Sequence, residues 1–223
     1  MMDFNKFRDF LKESFPDLTE VQLAQFKLME PLYRDWNSKI NVISRKDIDS
    51  LYDHHILHSL AIAEYLRERL PDEYSLFTDP ASSLSVLDLG TGGGFPGIPL
   101  AILFPSVRFT LCDSIQKKTL VAKAVAKELE LTNVEVVNAR AESLPGRFDY
   151  VVSRAVASLT DFYPWVKGKY SRGILYLKGG DINEEISAMM ARYRKKQGSV
   201  STWAVDSWLK DSYFEGKFVI NIL

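Results

Sequence analysis

The 223-residue chain has one cysteine, three histidines and a net charge of only −1. A lone cysteine excludes an internal disulfide, and Cys112, at the end of the apolar run VRFTLC, reads as a buried structural thiol rather than a nucleophile. With 28 Lys and Arg against 29 Asp and Glu, the chain cannot coat nucleic acid through overall charge, so any such contact must come from local patches. No apolar run suits a membrane span, and the opening MMDFNKFRDFLKESF lacks the apolar core of a signal peptide; a cytoplasmic location is expected. His54 and His58 are four apart, as on one helix face, but no third ligand or cysteine stands near them and no metal site is expected. Internal repeats and low-complexity segments are missing as well.

What the chain does have is a glycine loop. Ser85 to Gly97 reads SVLDLGTGGGFPG, an apolar strand that runs into a turn rich in glycine and then into a helix. Glycine tolerates positive φ and removes the Cβ that would hold a ligand off the backbone, so such a turn suits a nucleoside cofactor. Two readings compete. Gly92, Gly94 and Gly97 satisfy G-x-G-x-x-G, with Asp113 placed 21 residues beyond Gly92 as the ribose-binding acid of a dinucleotide site. Alternatively Asp88-Leu89-Gly90-Thr91-Gly92 is the core, an acid at the strand end followed by G-x-G, the form found in Rossmann-like S-adenosylmethionine methyltransferases. Only the second reading uses Asp88.

Around this loop the chain divides into a helical N-terminal extension, residues 1–78, and a Rossmann-like α/β domain, residues 79–223. Thr19 and Gln22 form a capping-box pattern ahead of Leu23, Phe26, Tyr33, Trp36 and Ile40 at helical spacing, a stripe read as core. Pro31 should kink or break this helix. A second helical stretch is expected to begin after Ser44, whose S-x-x-D pattern with Asp47 resembles a cap, and to run through Leu60, Ile62 and Leu66 before Pro71; Asp72 to Ser83 reads as a connection. Strands are predicted at Val86–Asp88, Val107–Cys112, Val134–Asn138, Tyr150–Ser153 and Ile174–Lys178, with a helix over Lys117–Leu131. This alternation implies a mostly parallel sheet covered on both faces. Ser199–Val205 and Lys217–Ile222 lack a helical connection and should form an antiparallel edge pair. Ligands of such sheets bind beyond the strand carboxyl ends, which nominates Asp88 to Gly94, Asp113, Arg140 to Glu142, Ser153, Arg154 and Lys178.

The succession Trp36-Asn37, Asn41, His55-Ile56-Leu57, VLDLGTGGGFPGIPLAI, LCDSIQKK, NARAE, FDYVVSRAVASL and LYLKGG resembles the bacterial small-subunit rRNA guanine-N7 methyltransferases, the glucose-inhibited division protein B family. The likeness runs from about Trp36 to Gly180. Its specific parts are Phe95-Pro96-Gly97-Ile98-Pro99 and Ser153-Arg154-Ala155, because generic methyltransferases share only the glycines. The resemblance implies S-adenosylmethionine as cofactor and N7 of a guanosine in the decoding-region loop of 16S rRNA as acceptor, free or in the small ribosomal subunit, with the protein acting as a monomer. It implies that Gly90 and Phe95 line the cofactor's methionine side, that Gly92 also binds the cofactor, that Asp113 holds the ribose hydroxyls and that Ala141 and Glu142 flank the adenine. Arg154 would lie near cofactor and target, and Lys178 would join it in positioning. Asn41, His55 and Arg140 fall at positions tied to activity or RNA contact. The chain departs from the family pattern at His58, where many members have aspartate, and at Gly216-Lys217.

Guanine N7 carries an in-plane lone pair and no proton, so methylating it requires positioning rather than a general base. No D-P-P-Y or N-P-P-Y element is present to grip an exocyclic amine. The acid-free segment Ile186 to Val205 carries Arg192, Arg194, Lys195 and Lys196, read as a phosphate-contacting patch or as a solvated helix end. Two other functions remain open at this point: an NAD(P)-dependent oxidoreductase and a noncatalytic RNA-binding ribosome-assembly factor.

Overall fold

Apolar residues run continuously through the central strands, and because successive side chains point to opposite faces they are sorted onto two faces of one sheet. The computed structural model describes residues 2–223. Val86, Phe109, Leu111, Tyr150, Val152, Leu175 and Leu177 face one core, whereas Leu87, Leu89, Cys112, Val151, Ile174 and Tyr176 face the other. The strands are β1 (Ser85–Leu89), β2 (Arg108–Asp113), β3 (Val134–Asn138), β4 (Phe148–Arg154), β5 (Tyr170–Gly179), β6 (Val200–Ala204) and β7 (Lys217–Ile222). Their order is β3-β2-β1-β4-β5-β7-β6, parallel through β5, with β7 antiparallel to both β5 and β6. The expected edge pair is therefore present, with β7 inserted inside β6.

The first core is covered by α1 (Phe4–Ser14), α2 (Glu20–Lys39), α3 (His58–Arg69), α4 (Pro71–Thr78), α5 (Gly97–Leu103) and α6 (Gln116–Glu128), and the second by α7 (Leu159–Val166) and α8 (Ile182–Tyr193). Every residue of α5 is buried, because this short helix lies between the sheet and the N-terminal helices. Its unbroken apolar sequence, GIPLAIL, answers that position. Gln22 completes the predicted capping box with Thr19 and also donates from Nε2 to the carbonyls of Ile102 and Leu103, at 2.8 and 3.1 Å. One side chain thus starts α2 and closes the end of α5.

Three local expectations are corrected. Pro31 leaves α2 continuous from Glu20 to Lys39; the carbonyl of Lys27, which would have received its missing N–H, faces the Tyr52 hydroxyl at 3.5 Å instead. No helix begins at Ser44. A turn there leads into a short 3-10 segment, a π-helical stretch over Leu51–Leu57 and only then α3, because the Asp47 carboxylate bonds two histidines rather than a backbone N–H. Asp72 to Ser83 is not a plain connection: Pro71 opens α4 at its first position, where a missing N–H costs nothing.

Candidate active site

The chain reverses direction across the sheet between β1 and β4, and a cleft of about 500 Å³ opens at the strand carboxyl ends beside that switch point. Gly90, Asp113, Arg140, Ala141, Glu142 and Arg154 line it, together with Ile115, Lys118, Val156 and Trp165.

Asp88, next to last in β1, is fully buried and builds the loop rather than the cleft wall. Its Oδ2 accepts from Thr91 Oγ1 at 2.6 Å and from the Gly97 N–H at 2.8 Å, and burial pushes its carboxyl up to about 7. Gly90 stands at φ +73°, its N–H bonded to the Cys112 carbonyl at 2.8 Å, and a Cβ there would meet Val156 Cγ2 at 2.4 Å. Gly92 donates its N–H to Asp113 Oδ2 at 2.9 Å, and the Ile115 N–H bonds Oδ1 at 2.8 Å. Two backbone donors therefore hold the Asp113 carboxylate at the cleft wall. Cys112 lies buried beneath it, Sγ against the Ala139 carbonyl at 3.2 Å, its thiol pushed up to about 11 by burial.

The N-terminal helices complete the loop. Tyr33 donates its hydroxyl to the Gly93 carbonyl at 2.8 Å, and a Cβ on Gly93 would stand 2.8 Å from Val42 Cβ. Asn37 holds the segment that carries Val42: its Oδ1 accepts from the Val42 and Ile43 N–H groups, and its Nδ2 donates to the Ile43 carbonyl, each at 2.9 Å. Asn41, Arg45 and Lys46 are exposed on that segment.

Arg154 is half-buried, its Cζ 5.1 Å from the Phe95 ring centre and its Nη2 3.4 Å from His55 Nδ1. No carboxylate of the described residues pairs with it, and burial draws its guanidinium down from the usual range. His55 bonds Asp47 Oδ2 through Nε2 at 2.7 Å; burial and the nearby guanidinium lower it to about 4, so the imidazole is neutral at pH 7. His54 takes the other Asp47 oxygen at 2.6 Å and stacks on Tyr213 at 3.5 Å, with Lys217 over the same tyrosine ring. His58 is buried with its ring edge toward Phe214 and its Nε2 unpartnered.

Several nominated residues take other positions. Phe95 is buried between Tyr33 and Arg154, beneath the cleft rather than lining it. Buried Ser153 ties β4 to the Leu89 carbonyl at 2.7 Å. Lys178 donates to the Ala157 carbonyl and pairs with Glu185, both at 3.0 Å, and so fastens the segment after β4. Arg194, Lys195 and Lys196 follow α8, and Lys195 reaches the Leu223 carbonyl and the Tyr170 hydroxyl at the start of β5. That run therefore sits at the start of β5, at the opposite end of the strand from Lys178, with Lys195 Nζ 5.1 Å from the Tyr163 ring centre on α7. Trp165 and Val156 went unread in the sequence, although the Ser158-x-x-Asp161 cap pattern announces the helix that carries Trp165.

The family model described as rRNA small subunit methyltransferase G matches residues 22–207. The chain belongs to that family. It is 48% identical to the Ribosomal RNA small subunit methyltransferase G of Flavobacterium psychrophilum, over 93% of this chain and 94% of the relative. It is 51% identical to that of Bacteroides fragilis, over 78% of this chain and 83% of the relative. Magnesium protoporphyrin IX methyltransferase from Synechocystis, solved with bound SAM, shares the fold at a TM-score of 0.58 and 13% identity, covering 92% of this chain and 98% of its own. The Thermus thermophilus 16S rRNA N2 G1207 methyltransferase, solved with AdoMet and guanosine, does so at 0.52 and 18%, covering 74% and 42%. The protein is an rRNA methyltransferase, and the oxidoreductase and noncatalytic readings are not favoured. The cleft suits S-adenosylmethionine, the cofactor expected from the sequence, in volume and in its donor set, with a fixed carboxylate and a backbone approach at Gly90 that no Cβ obstructs.

Proposed function

We propose that the protein methylates N7 of a guanosine in the decoding-region loop of 16S rRNA, acting as a monomer in the cytoplasm. The observation that carries the reading is the Arg154 guanidinium, half-buried at the cleft without a carboxylate partner among the described residues and flanked by a histidine engaged at both ring nitrogens. Such a site offers a fixed positive charge and no free imidazole base, which suits an acceptor that already presents a lone pair.

In this reading Asp113 accepts from the ribose hydroxyls, Ala141 and Glu142 border the adenine, and Gly90 and Gly92 admit the methionine portion. Phe95 supports Arg154 from below, while Lys178 holds the segment that carries Val156 over Gly90. S-adenosylmethionine, when bound, supplies a methyl group activated by its sulfonium. The chain's own residues orient the acceptor in line and exclude water. RNA would approach over the strand ends, between the Asn41, Arg45 and Lys46 segment and the cleft side that carries Arg140 and Lys118. Mapping of N7-methylguanosine in rRNA from cells with and without the protein tests the reading. Loss of one N7 mark in the decoding-region loop is expected; an unchanged map refutes it.

A further inference from the structure

We propose that Asp47 is a positioning residue, holding His55 in the one neutral form whose second ring nitrogen can receive Arg154. This rests on the reading that Arg154 orients the reacting pair.

The hydrogen bonds admit one consistent arrangement of protons. An ionised carboxylate only accepts, so both nitrogens on Asp47 carry hydrogens: His54 Nδ1 at 2.6 Å and His55 Nε2 at 2.7 Å. Arginine only donates, so His55 Nδ1, 3.4 Å from Arg154 Nη2, must present its lone pair. The outer partner of a histidine sets the tautomer, and Asp47 is that partner here. Asp47 is itself held in a turn, its N–H on the Ser44 carbonyl at 2.8 Å and its own carbonyl accepting from Ser50 at 3.0 Å. The π-helical stretch that follows presents the consecutive His54 and His55 to a single carboxylate. Such helical irregularities recur at functional sites.

A neutral imidazole does something an acid could not. A carboxylate beside Arg154 would orient the guanidinium but also cancel its charge. The His55 ring orients it from one side and Phe95 from another, and both leave the charge available to an anion or a developing transition state. The remaining surroundings agree: Asp47 favours the charged imidazole, but burial and Arg154 outweigh it and the ring stays neutral.

Long-range proton–nitrogen NMR spectra of the histidine rings in the full-length protein test the arrangement, with single-turnover methyl transfer to small-subunit RNA measured in parallel. His55 should be protonated at Nε2 in the wild type and lose that preference in Asp47→Asn, whose amide can donate as well as accept. Transfer should slow at least tenfold, with S-adenosylmethionine affinity within twofold of wild type, and Asp47→Glu should recover part of the rate. Protonation of wild-type His55 at Nδ1, or an unchanged tautomer in Asp47→Asn, overturns the proposal. A wild-type rate in Arg154→Ala overturns the reading of Arg154 and the positioning role with it, whereas a wild-type rate in Asp47→Asn beside a slow Arg154→Ala overturns the positioning role alone. If Asp47→Asn does not fold, His55→Asn and His55→Leu read the same contact: the amide keeps an acceptor near Arg154 and should transfer faster than the leucine variant, and equal rates overturn the proposal.

Discussion

Val156 lies directly over Gly90, so close that a Cβ on the glycine would stand 2.4 Å from Val156 Cγ2. Two segments 66 positions apart in sequence thus meet at the cleft, one from the end of β1 and one from the end of β4. Gly90→Ala faces both this contact and a φ of +73°, a left-handed conformation that costs an L-residue about 1–2 kcal/mol. The variant is expected to melt several degrees lower and to bind S-adenosylmethionine at least tenfold more weakly. Calorimetric titration together with a thermal melt checks both, and unchanged affinity would remove Gly90 from the cofactor site.

Asp113 makes two backbone hydrogen bonds and lines the cleft, so its removal should act on the cofactor before it acts on RNA. Asp113→Ala is expected to weaken S-adenosylmethionine binding by roughly 1.5–3 kcal/mol, the usual worth of hydrogen bonds to a charged group. Titration of the folded variant with cofactor, and separately with RNA, measures the two. Equal weakening of both would point to loop collapse rather than to a lost ribose contact.

Asp88 predicts a pH dependence of stability. Its carboxyl is raised to about 7 in the fold from its ordinary value of 3.8, so the folded state binds more protons than the unfolded chain between those pH values. The stability this confers is fully present below about pH 4 and is lost as pH rises through about 7. Asp88→Asn retains an acceptor for Thr91 and Gly97 but does not ionise. Relative to wild type it should gain stability as pH rises from about 4 to about 7, by up to about 4 kcal/mol over that whole span, and gain no more above it. Chemical denaturation at several pH values reads this; a constant difference between the two proteins would show that Asp88 does not titrate in the window.

The two cationic runs should part in their effect on RNA binding. Arg45 and Lys46 are exposed beside the glycine loop, whereas Arg194, Lys195 and Lys196 lie at the far end of β5. Replacing Arg45 and Lys46 by glutamine should weaken RNA binding and reduce the slope of log affinity against log salt by roughly 0.7–0.9 per lost phosphate contact. Replacing Arg194, Lys195 and Lys196 should change affinity and slope little. Salt titrations of both variants against the same RNA decide between them, and the opposite ranking would place the RNA surface at the far end of the sheet.

Much of this molecule is local in origin and could be read before folding. Short runs rich in β-branched residues placed β3 and β7 with their observed ends, because a strand's preference for such side chains is set by its own sequence. The capping box of Thr19 and Gln22, the glycine loop and the acid at the end of β2 were legible for the same reason, since each meets a requirement of its own backbone. Pro31 and Ser44 misled because their local rules were overridden by partners distant in the fold or lying past the next turn: Tyr52 at the carbonyl of Lys27, and two histidines on Asp47. The site depended most on tertiary structure. Asp47, His55, Phe95 and Arg154 come from a turn, a π-helical stretch, the glycine loop and a strand end, and no spacing in sequence could show that one carboxylate sets the ring that meets Arg154. The basic run after α8 was conspicuous in sequence, yet the crossover from β5 to β6 carries it to the opposite end of the sheet. Sequence determined which elements form and which chemistry they carry, whereas the packing of α2, the π-helical stretch and β4 decided which groups meet, because only long-range contact brings an acid and a base from separate elements within hydrogen-bonding distance.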